Sequence, residues 1–459
     1  MATEAADSTR TDEKPTELHR SIGPRMLLLF IVGDILGAGI YALTGKVAGE
    51  VGGALWVPFL IAFTLAALTA TAYAELVGKY PRAAGAALYA NRAFRRPFVT
   101  FLVAFAVMAS GITSAAAAAR AFGGKYLEEF ISLPTAAVAV GFLLVLAAIN
   151  FRGVQESVRV NLVLTMIELS GLIVIICIGA WVLLQGEGDP GRAMTFDSGT
   201  EKLWVGLLAG SALAFYALLG FEDSVNMCEE AHAPAKNYPK ALFLGLGLTG
   251  LVYLAVAFVS SMVVPTEQLS KSTGPLLEVV KTADVSFPPK LFALIALLAV
   301  SNTALINMLM ASRLVYGMAN EGIVPSKFGE VHGTRRSPWF AILFTTALGI
   351  ALVVTGDLSD LADTTVLLLL LVFATVNVAV LLLRRETVEH DHFRAPAAFP
   401  VLGAVASLIL ASPLTGRDAD IYLRAAILLA IGVGFWVLNR VVHGKVDARS
   451  DADSQPAKV

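Results

Sequence analysis

The sequence predicts an all-α polytopic membrane protein of twelve transmembrane helices, and three observations carry that prediction. First, 56% of the 459 residues are hydrophobic and only 15% are charged, with a mean hydropathy of +0.72. A soluble domain of this size would need more charge to cover its surface. Second, long apolar runs recur along the chain, each close to the ~20 residues a helix needs to cross hydrocarbon. Third, the basic residues alternate between poor and rich connecting segments.

Taken in order, the apolar runs place helices at approximately 26–48, 53–79, 97–121, 134–150, 160–184, 203–228, 241–264, 290–318, 338–355, 361–383, 398–413 and 421–442. An even number of spans puts both termini on one side. With that side taken as the cytoplasm, 24 of the 34 Lys and Arg fall in inside segments. Pairs such as Arg95-Arg96, Arg335-Arg336 and Arg384-Arg385 carry much of the excess, as the positive-inside rule expects. The expected location is therefore the inner membrane, multi-pass, with the lipid bilayer as a partner and both tails cytoplasmic.

Composition excludes several other classes. A net charge of -2 gives no footing for nucleic acid. Cys177 and Cys228 lie in or beside apolar segments and form no disulfide framework or metal spacing. His390 and His392 have the look of a ligand pair, but a solvated loop explains them, and no metal is expected. No nucleotide-binding loop of the Gly-x4-Gly-Lys-Ser/Thr type occurs, so no ATP is expected. Residues 1–20 are polar, and the run starting at Met26 has no small-residue cleavage site. A cleavable signal peptide is not expected, and both polar ends are expected to be disordered.

Two helices are interrupted where a plain lipid span would not be. The first contains Gly33-Asp34-Ile35-Leu36-Gly37-Ala38-Gly39-Ile40-Tyr41, in which three glycines in seven residues weaken the helix at mid-membrane. The sixth contains Ala217-Leu218-Leu219-Gly220-Phe221-Glu222-Asp223-Ser224, a glycine followed closely by two carboxylates. Unwound backbone at that depth is tolerated where it is buried in protein or lines a wet cavity. Close helix packing through small residues is the alternative for Gly37-Ala38-Gly39 alone. Paired interruptions in two halves of five helices point instead to a binding site between inverted repeats. A broken helix offers N–H groups and a positive dipole end to a carboxylate, and free carbonyls to an ammonium or cation.

These residues resemble the amino acid–polyamine–organocation (APC) superfamily, and within it the cationic amino-acid transporter branch and related bacterial permeases. The resemblance rests on an ordered set of motifs across most of residues 25–385. They are Gly37-Ala38-Gly39-Ile40-Tyr41; Ala74-Glu75-Leu76 with Pro81, Gly85 and Tyr89; and Gly220-Phe221-Glu222 with Glu229-Glu230, Pro234, Asn237 and Pro239. The last is Ala311-Ser312-Arg313-Leu314-Val315-Tyr316-Gly317-Met318-Ala319 with Glu321-Gly322 and Pro325. The resemblance implies repeats over 25–185 and 203–385, two extra helices in 397–443, and tails at 1–24 and 444–459. It implies a secondary transporter working by alternating access, with no cofactor. By position, a substrate carboxylate would meet the backbone of Ala38, Gly39 and Ile40. Its ammonium would meet carbonyls near Ile35 and Leu36, and near Phe215, Tyr216 and Leu218.

Ionisable groups at membrane depth are costly and mark function by default. Glu168 is central in the fifth helix. Relatives that carry a lysine nearby use it in place of sodium, whereas this chain resembles members with glutamate. Desolvation penalises the charged form of a carboxyl group, which suits Glu168 to binding and releasing protons. A buried, hydrogen-bonded structural acid is the other reading. Glu222 is expected to line the site or its gate, while Asp223 points about 100° away on a regular helix. Asp34, one turn before Gly37, is a second proton-coupling candidate on the inner pathway. Snorkelling or an inner-side salt bridge explains Glu75 and Arg313, and Arg120 lies near an outer helix end. Ser301, Asn302, Thr303 and Asn307 form a polar face on the eighth helix, fit either for holding sodium or for interhelical hydrogen bonds.

The expected function is a proton-coupled permease for amino acids, with sodium left open; a polyamine or organic-amine exchanger is the alternative. A channel would show filter-like repeats or charge rings, and an enzyme would show a convergent nucleophile, metal cluster or acid–base pair. Neither pattern is present in the sequence.

Overall fold

The computed structural model describes residues 22–82, 85–152, 158–197, 202–320, 322–335, 337–388 and 390–443. The two polar tails, apart from residues 22–24, together with Glu321 and Arg336, lie outside the described residues. Seventeen α-helices follow in order. They are α1 (Pro24–Ile35), α2 (Ala38–Val51), α3 (Trp56–Lys79), α4 (Gly85–Phe94), α5 (Pro97–Phe122), α6 (Lys125–Glu128), α7 (Thr135–Phe151), α8 (Val158–Leu184) and α9 (Leu203–Ala217). Then come α10 (Pro234–Val263), α11 (Thr266–Lys271), α12 (Pro275–Thr282), α13 (Pro289–Asn320), α14 (Trp339–Thr355), α15 (Leu358–Leu383), α16 (Ala398–Ala411) and α17 (Ala419–His443). Among the described residues the only β pairing is an isolated bridge, Ile22 to Ala231.

Seven of the described helices are long and apolar enough to cross a membrane; α1 and α2, bent by 42° across their break, make one more together. The shorter apolar helices α7, α9, α14 and α16 fall on the remaining expected segments. The apolar pattern continues on the outside of the bundle, where Leu184, Leu251 and Val354 are 84%, 67% and 66% exposed. Such a surface suits lipid rather than water. The chain is a multi-pass membrane protein.

Local sequence explains where several helices start. Proline opens α1, α5, α10 and α12 at a position where its missing N–H costs nothing. The Asp357 carboxylate accepts the Asp360 N–H at 2.9 Å and caps α15. In the centre, α5 packs against both α13 and α15, while α9 packs against α2 and α3 and α1 against α10.

The sixth expected span departs from the prediction. Its helix ends at Ala217, short of residue 228, and a 3-10 stretch covers Asp223–Glu230 instead. Four short helices also occupy connections between the expected spans: α4 before α5, α6 between α5 and α7, and α11 and α12 between α10 and α13. His390 and His392 lie in the loop between α15 and α16, as expected, but half-buried against the end of α3: His390 Nε2 lies 2.8 Å from the Gly78 carbonyl.

Candidate functional site

The two interruptions meet. After Ile35, Leu36 and Gly37 run extended, and α2 begins at Ala38. Gly39, in the first turn of α2, faces α9 so closely that a Cβ there would sit 2.5 Å from the Ala217 Cα. Gly220 closes the contact from the other side. Its φ of +117° is one that residues with a side chain rarely adopt, and an added Cβ would lie 2.2 Å from the Asp34 carbonyl oxygen. Glycine is required at 39 for approach and at 220 for both approach and conformation.

A cavity of about 80 Å3 opens at this crossing, several times the roughly 10–15 Å3 that one water needs. It is a chamber rather than a packing defect. Of the residues expected from sequence, Asp34, Ile35, Leu36, Gly37, Ala38, Gly39, Tyr216 and Glu222 line it. Ile40, Phe215, Leu218 and Glu168 do not. Ile40 and Leu218 are buried, and Phe215 packs its ring on Phe373, 5.8 Å between centroids.

The backbone donors are those of a helix start. The first N–H groups of α2, on Ala38, Gly39 and Ile40, have no acceptor within the helix. Thr303 Oγ1 on α13 accepts one of them, Ala38 N–H, at 3.0 Å. On the acceptor side, the Ile35 carbonyl takes the Tyr253 hydroxyl at 3.0 Å. The Phe215 and Tyr216 carbonyls accept the turn N–H groups of Leu218 and Leu219.

Three acidic residues line the chamber, Asp34, Glu222 and Asp223, and among the described residues no Lys, Arg or His does. Glu222 also acts on its own turn. Its Oε2 accepts the Gly220 N–H at 2.9 Å, satisfying a donor that the break leaves free. Asp223 lines the chamber as well, because the backbone there is a turn and not the regular helix that would carry it away.

Glu168 stands one layer behind the wall, 1% exposed. Asn302, which does line the chamber, donates from Nδ2 to Glu168 Oε1 at 3.2 Å, while Oε2 is buried with no partner among the described residues. Of the other polar residues on α13, Ser301 bonds back to the Leu297 carbonyl and Asn307 to that of Thr303. Sequence reading missed the wall supplied by α5 and α15. Ser110, Gly111 and Ser114 line it from α5 and Thr365 from α15. Ser114 and Tyr216 share a hydroxyl contact of 3.0 Å. The available signal was the spacing of Ser110 and Ser114, four residues apart on one face of an alanine-rich helix.

Glu75 forms a salt bridge with Arg384, which favours that reading over snorkelling. The guanidinium reaches both carboxylate oxygens, at 2.8 and 2.6 Å, and the Ala395 N–H adds a third contact at 2.9 Å. Arg313 is exposed at its helix surface, and Arg120 donates to the Val353 carbonyl.

A helical bundle with an apolar exterior, two broken helices crossing inside it, and a polar chamber at the crossing defines a membrane transporter. Residues 22–436 match the family described as amino acid permease. The chain belongs to that family. It is 24% identical over 452 residues to the branched-chain amino acid permease of Bacillus subtilis, covering 94% of this chain and 95% of that protein. It is 28% identical over 342 residues to the chloroplastic cationic amino acid transporter 9 of Arabidopsis thaliana, covering 69% and 58%. A methylthioribose transporter of Bacillus subtilis is 24% identical over 460 residues, covering 95% and 97%. The chain is thus similar to carriers of differing cargo.

Proposed function

We propose that this protein is a secondary active transporter that carries amino acids across the cytoplasmic membrane by alternating access, driven by protons bound at Glu168. The observation that carries the reading is the chamber at the crossing of the two breaks. Its lining includes Ala38 and Gly39, which open α2, together with the acidic residues Asp34, Glu222 and Asp223. An amino acid has both matching charges: its carboxylate suits the helix N-terminus, and its ammonium suits the carbonyls and carboxylates. Members of the family named for amino acids support the cargo class. The distribution of Lys and Arg supports cytoplasmic termini. Glu168 suits proton coupling because it is buried behind the chamber, with one oxygen unpartnered among the described residues and Asn302 between it and the chamber.

A second reading has its own support. Three acidic lining residues, with no basic residue among the described lining, favour cationic cargo, so a polyamine or organic amine is the alternative substrate. One experiment separates these. Purified protein in proteoliposomes, without ATP, is screened with radiolabelled amino acids and amines, with and without a pH gradient. Uptake of an amino acid that collapses when the gradient is dissipated is the expected result. Uptake of amines alone would favour the alternative, and gradient-independent uptake would remove proton coupling.

A further inference from the structure

Asn302 and Thr303 are consecutive on α13, and consecutive helical side chains diverge by about 100°. They therefore reach different neighbours. The Thr303 hydroxyl accepts Ala38 N–H at 3.0 Å while donating to the Ala299 carbonyl at 3.3 Å. The Asn302 amide donates to Glu168 at 3.2 Å. Both residues line the chamber, and Glu168 does not. One step of one helix thus touches a backbone donor offered to the cargo and, on its other side, a buried carboxyl group outside the chamber.

We propose that Asn302 and Thr303 are the coupling element of the transporter, positioning residues through which a carboxylate arriving at Ala38 changes the protonation of Glu168. This rests on the reading of Glu168 as the proton carrier. A cargo carboxylate that takes Ala38 N–H must displace the Thr303 hydroxyl from it. Thr303 and Asn302 share one rigid helical turn, so a shift of one moves the other. An N–H donated to a carboxylate stabilises its charge. Withdrawing the Asn302 amide therefore leaves Glu168 better able to hold a proton taken from the side open to the chamber. Cargo and proton then bind together and leave together, which is the sign required for symport.

The surroundings of Glu168 support this assignment. The titratable groups facing it are Tyr41 of α2 and Tyr253 of α10. Tyr41 donates its hydroxyl to the Glu168 main-chain carbonyl at 2.6 Å and not to its carboxyl group. Asp34 of α1 follows Gly33, which abuts Thr165 one turn from Glu168. On α12, Glu278 and Lys281 are engaged with Ser272 and Glu129. On α13, Arg313 is exposed three turns away.

The test uses the full chain in proteoliposomes with radiolabelled L-lysine and L-leucine. For wild type, Asn302→Ala, Thr303→Val and Thr303→Ser, gradient-driven accumulation is divided by counterflow measured without a gradient. Proton movement per cargo is followed with a pH-sensitive dye. The ratio should fall roughly 5- to 150-fold in Asn302→Ala and Thr303→Val, with fewer protons moved per cargo, and should recover in Thr303→Ser. An unchanged ratio and pH profile in both lesions overturns the proposal. So does a parallel loss of accumulation and counterflow in Thr303→Val, which would make the hydroxyl merely structural. If Asn302→Ala fails to reach the membrane, Asn302→Ser replaces it, and a wild-type ratio there counts against the proposal equally. Glu168→Gln run alongside separates the two readings. A normal ratio in that variant defeats Glu168 as proton carrier, whereas a collapsed ratio there with normal Asn302 and Thr303 variants defeats only the coupling element.

Discussion

The two breaks look alike in sequence but are built differently. Between α1 and α2 only Leu36 and Gly37 leave the helix, their backbone is extended, and a full helix resumes at Ala38. After α9 no α-helix resumes until Pro234, Gly220 takes a φ of +117°, and Glu222 folds back to cap the Gly220 N–H. The first break is an interruption held by a neighbour's hydroxyl, the second a terminus held by its own carboxylate. A glycine pattern signals that a helix yields; it does not say whether the helix starts again. That depends on the donors and acceptors nearby, and Glu222 satisfies a group that a continuing helix would have satisfied itself.

The contrast can be broken most forcefully at the contact itself. Gly220→Ala should cost both transport and stability, because neither its positive φ nor its clash with the Asp34 carbonyl can be relieved by a side chain moving. Gly39→Leu, opposed by the Ala217 backbone, should abolish uptake while leaving the protein in the membrane. Near-normal uptake of radiolabelled cargo at ordinary expression would sink that assignment. Next in size is Glu168→Gln, which mimics a permanent proton: pH-driven accumulation should fail, and counterflow should fall far less. Wild-type accumulation with the wild-type pH profile would exclude Glu168.

Smaller effects sharpen the difference between the breaks. Glu222→Gln should shift cargo affinity by about tenfold, the size expected for losing a charge-assisted contact, and by more than Asp223→Asn does. Competition assays on both variants check this, and equal, small shifts would move the site elsewhere. The mildest change should be Gly37→Ala. Its extended backbone admits any residue, and the only obstacle is the Thr303 hydroxyl, 2.7 Å from the added Cβ. A cost of about 1–3 kcal/mol from overpacking is expected, removed largely by adding Thr303→Ala. Thermal melting of the single and double variants decides it.

The membrane architecture was legible because burying a backbone in hydrocarbon demands long apolar runs, and those run along the sequence. The short helices were not. The ten residues of α4 and the six of α11 carry polar and charged groups, and they form by packing on the bundle rather than by apolar length. At the site, the breaks announced themselves through glycines and carboxylates, which are local features. Ser110, Gly111 and Thr365 did not, because they become wall only when α5 and α15 are brought beside the crossing. Ile40, Phe215 and Leu218 sit beside the break yet turn from the chamber, a matter of backbone direction that spacing cannot supply. Glu75 could be read as half of a salt bridge, but its partner lies 309 residues away.

That partnership also bears on how the molecule can move. The Glu75 and Arg384 side chains are 2% and 13% exposed, and Lys79 one turn on donates to the Leu383 and Glu386 carbonyls at the end of α15. Pulling one partner from such a desolvated pair costs about 3–5 kcal/mol. These ends of α3 and α15 are therefore riveted, and the alternating access proposed above has to treat them as a single lever. The helices are interrupted elsewhere, at Leu36-Gly37 and in the turn from Leu218 to Glu222. The transport cycle proposed above would bend at these breaks and pivot about its rivet.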